Sequence, residues 1–288
     1  MPPQELRIEI IGAGVVGTAT GKAFYEKGHT PIFKDVRQEP IDRLTAEGHE
    51  TAWDDEHVEA DISMFCVPTP WDDENRRYVM DYVYDAMDSF TDHTDPNSRV
   101  IAIHSTSLPG TTDEIIEQYD LDHAAMVPEL LRQRQALSDA LANLDSIIIG
   151  TESDHAEDVI KQAYHWKENY VRVTPTEAEL AKFTSNWYAA TKISFANEIW
   201  RISQDLDCEP RRVEEAFQRA SPWAEFGEDG LRGGWPYDGA CLPKDTKGLQ
   251  QYFRELGLDV PQLDGTIGEN ELMRNHEKTI EPEVSTGE

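Results

Sequence analysis

The chain has 288 residues, 39% of them apolar, enough to fill the cores of two domains. Asp and Glu number 56 against 26 Lys and Arg, a formal net charge of −30 at pH 7. So acidic a surface repels nucleic acid and anionic membrane, and neither is expected as a partner.

The acid excess runs along the whole chain, as in a protein kept soluble in molar salt, where repulsion is screened within about 3 Å. A halophilic source is the expectation. No apolar run reaches the roughly 18 residues of a transmembrane helix, and the N-terminus lacks the basic and apolar regions of an export signal. A cytoplasmic protein is expected. Cys66, Cys208 and Cys241 are too few and too scattered for a disulfide framework, and no metal site is expected. Cys66 lies in an apolar run and reads as a small buried hydrophobe.

Strand patterns fall at Leu6–Ile11, Thr30–Lys34, Ile62–Val67, Val100–His104, Ala124–Val127, Ser146–Ile149 and Tyr170–Val173. Amphipathic segments alternate with them at Gly17–Lys27, Tyr78–Phe90, Thr112–Gln118 and Leu137–Asn143. This rhythm predicts an α/β domain over residues 1–174, a Rossmann-type, doubly wound, mostly parallel sheet with helices on both faces. From Thr176 to Leu206 apolar residues recur every three or four positions. A helix of that length spans roughly 45 Å and suits the core of a homodimer or of one subunit. Further helices are predicted at Arg211–Arg219, Lys244–Leu256 and Gly265–His276, giving an all-α central domain over 175–280 and a frayed acidic tail over 281–288.

Gly12-Ala-Gly14-Val15-Val16-Gly17 follows the first strand and opens a helix. In that context the glycines permit the tight turn, the approach of a pyrophosphate and close helix–strand packing, with phosphates at the helix N-terminus. Asp35 ends the second strand about 20 residues on, where an acid holds the ribose hydroxyls of NAD. NAD is the expected cofactor. Two more loops leave the carboxyl ends of strands: Val67-Pro68-Thr69-Pro70, and Ser105-Thr106-Ser107-Leu108-Pro109-Gly110. Their hydroxyls either contact cofactor and substrate or merely turn the chain. Because dinucleotides are anions, a locally basic or N–H-lined cleft is expected on this acidic protein.

Cys241 sits in Gly239-Ala240-Cys241-Leu242-Pro243-Lys244-Asp245. A thiol beside a cation and a carboxylate is a candidate nucleophile. Lys182 and Asn186, one helical turn apart, share a face of the long helix.

Taken in order, these motifs resemble the UDP-glucose/GDP-mannose dehydrogenase family: the glycine loop, Val-Pro-Thr-Pro, Ser-Thr-Ser-Leu-Pro-Gly-Thr, Pro128-Glu129-Leu-Leu-Arg132, Glu179-Leu-Ala-Lys182-Phe-Thr-Ser-Asn186 and the cysteine loop. The resemblance implies oxidation of a sugar primary alcohol to an acid with two NAD, in polysaccharide biosynthesis. It implies that Cys241 forms a thiohemiacetal and then a thioester. Lys182 and Asn186 would stabilise the oxyanion, Asp245 with Thr106 and Glu129 would position and activate water, and Lys244 would neutralise charge near thiol and cofactor. Val15, Val16, Val67, Pro68, Thr69 and Thr106 would complete the cofactor contacts.

Three departures from the family pattern stand out. Gln133 replaces a second glutamate, Asp238 replaces a glycine before the cysteine, and the sequence stops where relatives continue into a substrate-nucleotide domain. A partner supplying that domain is one expectation. Two alternatives stay open: a two-domain β-hydroxyacid dehydrogenase with Lys182 as its acid/base, and a catalytically silent NAD-binding subunit.

Overall fold

A computed structural model describes residues 4–130, 136–141, 146–221 and 232–276. Strand β1 (Arg7–Ile11) leads through the glycine turn into helix α1 (Val15–Glu26), then β2 (Thr30–Asp35), α2 (Gln38–Ala46) and β3 (Glu50–Trp53). Next come β4 (Ile62–Phe65), a small hairpin of β5 (Trp71–Asp72) and β6 (Arg77–Tyr78), α3 (Asp81–His93) and β7 (Val100–Ile103). Helix α4 (Thr111–Tyr119), β8 (Ala124–Met126), α5 (Ala136–Leu141), β9 (Ser146–Gly150), α6 (Asp154–Ala163) and β10 (Asn169–Val173) complete the sheet domain. Four helices follow: α7 (Pro175–Asp205), α8 (Pro210–Ala220), α9 (Leu242–Glu255) and α10 (Pro261–Arg274).

The eight-stranded sheet has the order β10-β9-β8-β7-β4-β1-β2-β3. All pairs are parallel except β8 with β9. The strand order reverses between β1 and β4, so the crevice beyond their carboxyl ends is where such sheets bind ligands. The central strands are buried on both faces because helices cover each side. One core layer includes Ile8, Ile10, Phe24, Phe33 and Met64, and the other Phe65, Met87, Phe90, Ile101 and Ile103.

The expected strands and the doubly wound class are present. Four features were not foreseen. The periods of α2 and α6 are carried by few apolar residues (Ile41 and Leu44; Ala156, Ile160 and Ala163) among many charges. Strand β3 lies at the sheet edge and buries only Ala52. Tyr78, expected to open a helix, instead pairs with Trp71 in the hairpin, so α3 begins at Asp81.

The chain divides into two compact units, 1–182 and 183–288. The division falls inside α7, because Ala178 belongs to the sheet domain's core and Glu179 is bonded to the start of α4. In the second unit α7 is tied to α10. Arg201 grips Glu269 through two hydrogen bonds of 2.9 and 2.6 Å, and Ser194 donates to the Thr266 carbonyl. Gly233 lies so close to the Ala196 carbonyl that a side chain there would clash.

Candidate active site

In the first unit the glycine loop has the shape of a dinucleotide cradle. Gly12 has φ +98°, and a Cβ there would sit 2.7 Å from the Cys66 carbonyl. A Cβ at Gly17 would strike the Gly12 carbonyl, whereas one at Gly14 would meet nothing within 4 Å. The space at Gly14 is therefore open to a ligand. Gly14 caps α1 without a side-chain hydrogen bond, leaving that helix's first N–H groups and positive end for an anion. Val15 is exposed and Val16 half-buried beside it.

Asp35 closes the cradle. Its Oδ2 accepts from the Ala13 N–H at 3.0 Å, and Arg37 donates to both oxygens from backbone and guanidinium. Burial works to raise the Asp35 pKa, but the Arg37 hydrogen bonds and charge outweigh it and hold the carboxyl below its ordinary value. A cleft of about 480 Å³ runs along Gly14, Val15 and Thr18 and is lined by Lys22, Arg37 and Arg43 with Glu39. The expected local basicity is there, in a chain of charge −30. These residues fit a bound NAD: a glycine turn for the pyrophosphate, a helix end for its charge and an acid for the ribose.

The two other loops meet. Thr69 Oγ1 donates to the Thr106 carbonyl at 2.8 Å, and Ser105 Oγ donates to the Val67 carbonyl at 2.8 Å. Val67 and Thr106 are half-buried, Thr69 is buried and Pro68 exposed. Glu129, after β8, approaches His104 Nε2 at 3.1 Å.

Sequence reasoning gave Glu179 no role. It is fully buried, and it accepts from the Gly110 N–H (2.6 Å), the Thr112 N–H (2.8 Å) and Thr112 Oγ1 (2.6 Å). It thereby caps α4 from outside and anchors the loop carrying Thr106. Its place three residues before Lys182 on one helix was the available signal. Lys182 itself is buried.

Burial pushes the Glu179 pKa up to about 7 against those three donors. The folded protein therefore binds more protons here than the unfolded chain between about pH 4.5 and 7, and this group's contribution to stability falls as pH rises through that window. Guanidinium titrations at pH 5 and 7.5 should show a smaller loss for Glu179→Gln than for the wild type. An equal loss would mean that Glu179 does not titrate there.

In the second unit three predicted residues converge. Asp245 is buried, accepts a hydrogen bond from Asn186 Nδ2 and pairs with Lys244 Nζ at 2.8 Å. Its backbone N–H donates to the Cys241 carbonyl, so thiol and carboxylate are one turn apart at the start of α9. Cys241 is exposed at that helix's N-cap, where the dipole favours negative charge. Asn270 brackets the preceding loop, accepting from the Tyr237 N–H and donating to its carbonyl. Asp238 pairs with Arg274 at 3.0 Å, so its charge is balanced locally. Arg132 and Gln133 lie outside the described residues.

No helix among the described residues is long and apolar enough to cross a membrane. Nor is any group of three or more His, Cys, Asp or Glu among them placed to hold a metal ion.

Sheet, cradle and basic cleft define an NAD-binding protein of the dehydrogenase class. Residues 48–167 match the NAD binding domain of the UDP-glucose/GDP-mannose dehydrogenase family, and residues 176–271 match its central domain. The chain belongs to that family. It is 27% identical over 296 residues to UDP-glucose 6-dehydrogenase YwqF of Bacillus subtilis, covering 92% of this chain and 66% of that protein. It is 28% identical over 318 residues to a GDP-mannose 6-dehydrogenase of Pseudomonas syringae, covering 96% and 69%. The structure of a UDP-glucose dehydrogenase from Pyrobaculum islandicum superposes with a TM-score of 0.82 at 24% identity, over 94% of this chain and 69% of that one. The chain thus spans about two thirds of these relatives' length.

Proposed function

We propose that this protein oxidises the primary alcohol of a nucleotide sugar to a carboxylate through a covalent intermediate on Cys241. The observation that carries the reading is the cluster of Asn186, Lys244 and Asp245, whose aspartate lies one helical turn from that thiol. NAD, held by the glycine loop and Asp35, would supply the hydride acceptor for each of the two oxidations between alcohol and acid, one cofactor molecule per hydride. Cys241 Sγ adds to the aldehyde carbon while a proton moves to the carbonyl oxygen, giving a thiohemiacetal; the oxidised form is a thioester. Water then adds, the C–S bond breaks and the sulfur regains a proton. Lys182 and Asn186 supply donors for the oxyanion of each tetrahedral stage. Each unit offers groups to orient and deprotonate the water: Asp245 in the second, Glu129 with Thr106 in the first. Lys244 offsets the charge of Asp245.

We place the enzyme in the cytoplasm of a halophile, in polysaccharide biosynthesis.

The test supplies NAD with UDP-glucose, UDP-N-acetylhexosamines and GDP-mannose and follows NADH and carboxylate. Two NADH per carboxylate are expected. One NADH per substrate without acid would favour lysine-centred β-hydroxyacid chemistry. Silence with intact NAD binding would favour a non-catalytic NAD-binding subunit.

The long helix supports a homodimer. Tyr188, Phe195 and Ile202 recur every seven residues on α7 and are exposed, with Leu206 continuing the stripe. Phe195→Glu with Ile202→Glu should halve the mass seen by light scattering in molar salt. An unchanged mass would place the dimer contact elsewhere.

A further inference from the structure

His104 follows β7 directly and is almost wholly buried. Its Nδ1 lies 2.5 Å from the Val127 carbonyl oxygen. A carbonyl only accepts, so Nδ1 carries a hydrogen. Nε2 then faces Glu129 Oε2 at 3.1 Å and Thr20 Oγ1 at 3.3 Å. A neutral ring protonated on Nδ1 offers only a lone pair at Nε2, and an ionised carboxylate offers only lone pairs. The 3.1 Å approach therefore requires one proton between them.

Two neighbouring groups register the carboxyl's charge. Cys66, after β4, and Tyr164, after α6, sense the Glu129 charge, and both are pushed up chiefly by burial and further by that charge. Thr20 on α1 contributes a hydroxyl. Glu129 Oε1 takes the Leu130 N–H, and the Glu129 side chain keeps 19% of its surface exposed. One edge of the carboxyl is thus fixed and the remainder reaches solvent.

We propose that His104 is the positioning residue of Glu129: the Val127 carbonyl fixes the ring, and Nε2 holds one carboxyl oxygen through a shared proton. The inference rests on the reading of Glu129 as part of the acid/base set. So held, Glu129 presents one carboxyl oxygen in a fixed direction to the water it acts on. An all-apolar strand ending in histidine was the only hint in the sequence.

Two measurements test this separately from the functional reading. Side-chain 15N shifts of histidine-labelled protein, followed from pH 5 to 9, need no substrate. One histidine, assigned through its loss in His104→Gln, should show a direct hydrogen bond at Nε2, and its ring 15N shifts should move in Glu129→Gln. Ring shifts of His104 indifferent to Glu129→Gln would overturn the pairing even if no sugar nucleotide is oxidised.

On the substrate found by the assay above, His104→Leu should lower kcat about 100-fold, with KM and NAD affinity within twofold. His104→Gln, which keeps a donor but not a titrating ring, should recover about tenfold of that and displace the pH profile. A lowered melting temperature with the wild-type pH profile and kcat would reduce His104 to a packing residue.

Discussion

Replacing Cys241 by serine is expected to lower carboxylate formation by at least about 10³-fold, while NAD affinity stays unchanged. The serine hydroxyl matches the thiol in shape, but at neutral pH it is a far weaker nucleophile without a dedicated base. Asp245, one turn along α9, is already engaged by Asn186 and Lys244, which makes it a poor acceptor for a proton from residue 241. The glycine loop that fits NAD belongs to the other unit, so NAD affinity reports independently that the variant is folded. Acid production at the wild-type rate would remove Cys241 from the mechanism.

A second large effect is expected far from any thiol. Glu9 on β1 points into the sheet domain with its side chain 1% exposed, 3.0 Å from Lys34 Nζ and 3.4 Å from Arg99 Nη1. Ser63 Oγ donates to the same carboxyl. The two cations also hold the connection before β4, through the carbonyls of Glu56 and Val58. Glu9→Gln leaves both cations buried without a counter-charge. The cost should be about 3–5 kcal/mol, or a fall in melting temperature of roughly 10 °C. Removing the whole network in Glu9→Leu with Lys34→Met and Arg99→Leu should restore stability to within about 1 kcal/mol, because the desolvation cost disappears with the charges. Calorimetry of both proteins decides. A loss below about 1 kcal/mol in Glu9→Gln would show that water reaches the cluster.

Much of the sheet domain was legible because a parallel strand buried on both faces must be an almost continuous apolar run. β4 and β7 are such runs, and the glycine loop between β1 and α1 takes the tight turn that its spacing predicted. Helices with sparse apolar positions escaped, as α2 and α6 show, since their few buried residues are outnumbered by charges. Edge strand β3 escaped because one buried residue sets no alternation. On the site, Asp35, Asn186, Lys244 and Asp245 could be picked out from spacing and motif. Glu179 and His104 could not be given roles, because a buried polar side chain is defined by partners distant in sequence. Those of Glu179 lie 67 and 69 residues away.

The sequence by itself determined the class of fold, the glycine cradle and the identity of the cysteine loop, because each depends on local backbone freedom or on a short-range pattern. It also determined the acidity of the surface. Only the tertiary structure decided that Asp35 is clamped by Arg37, that Asp238 is neutralised by Arg274, that Glu9 anchors a buried ion network and that His104 grips Glu129. Each is a charge whose meaning depends on what faces it, and the facing group is chosen by strand order and helix packing rather than by neighbours in the chain.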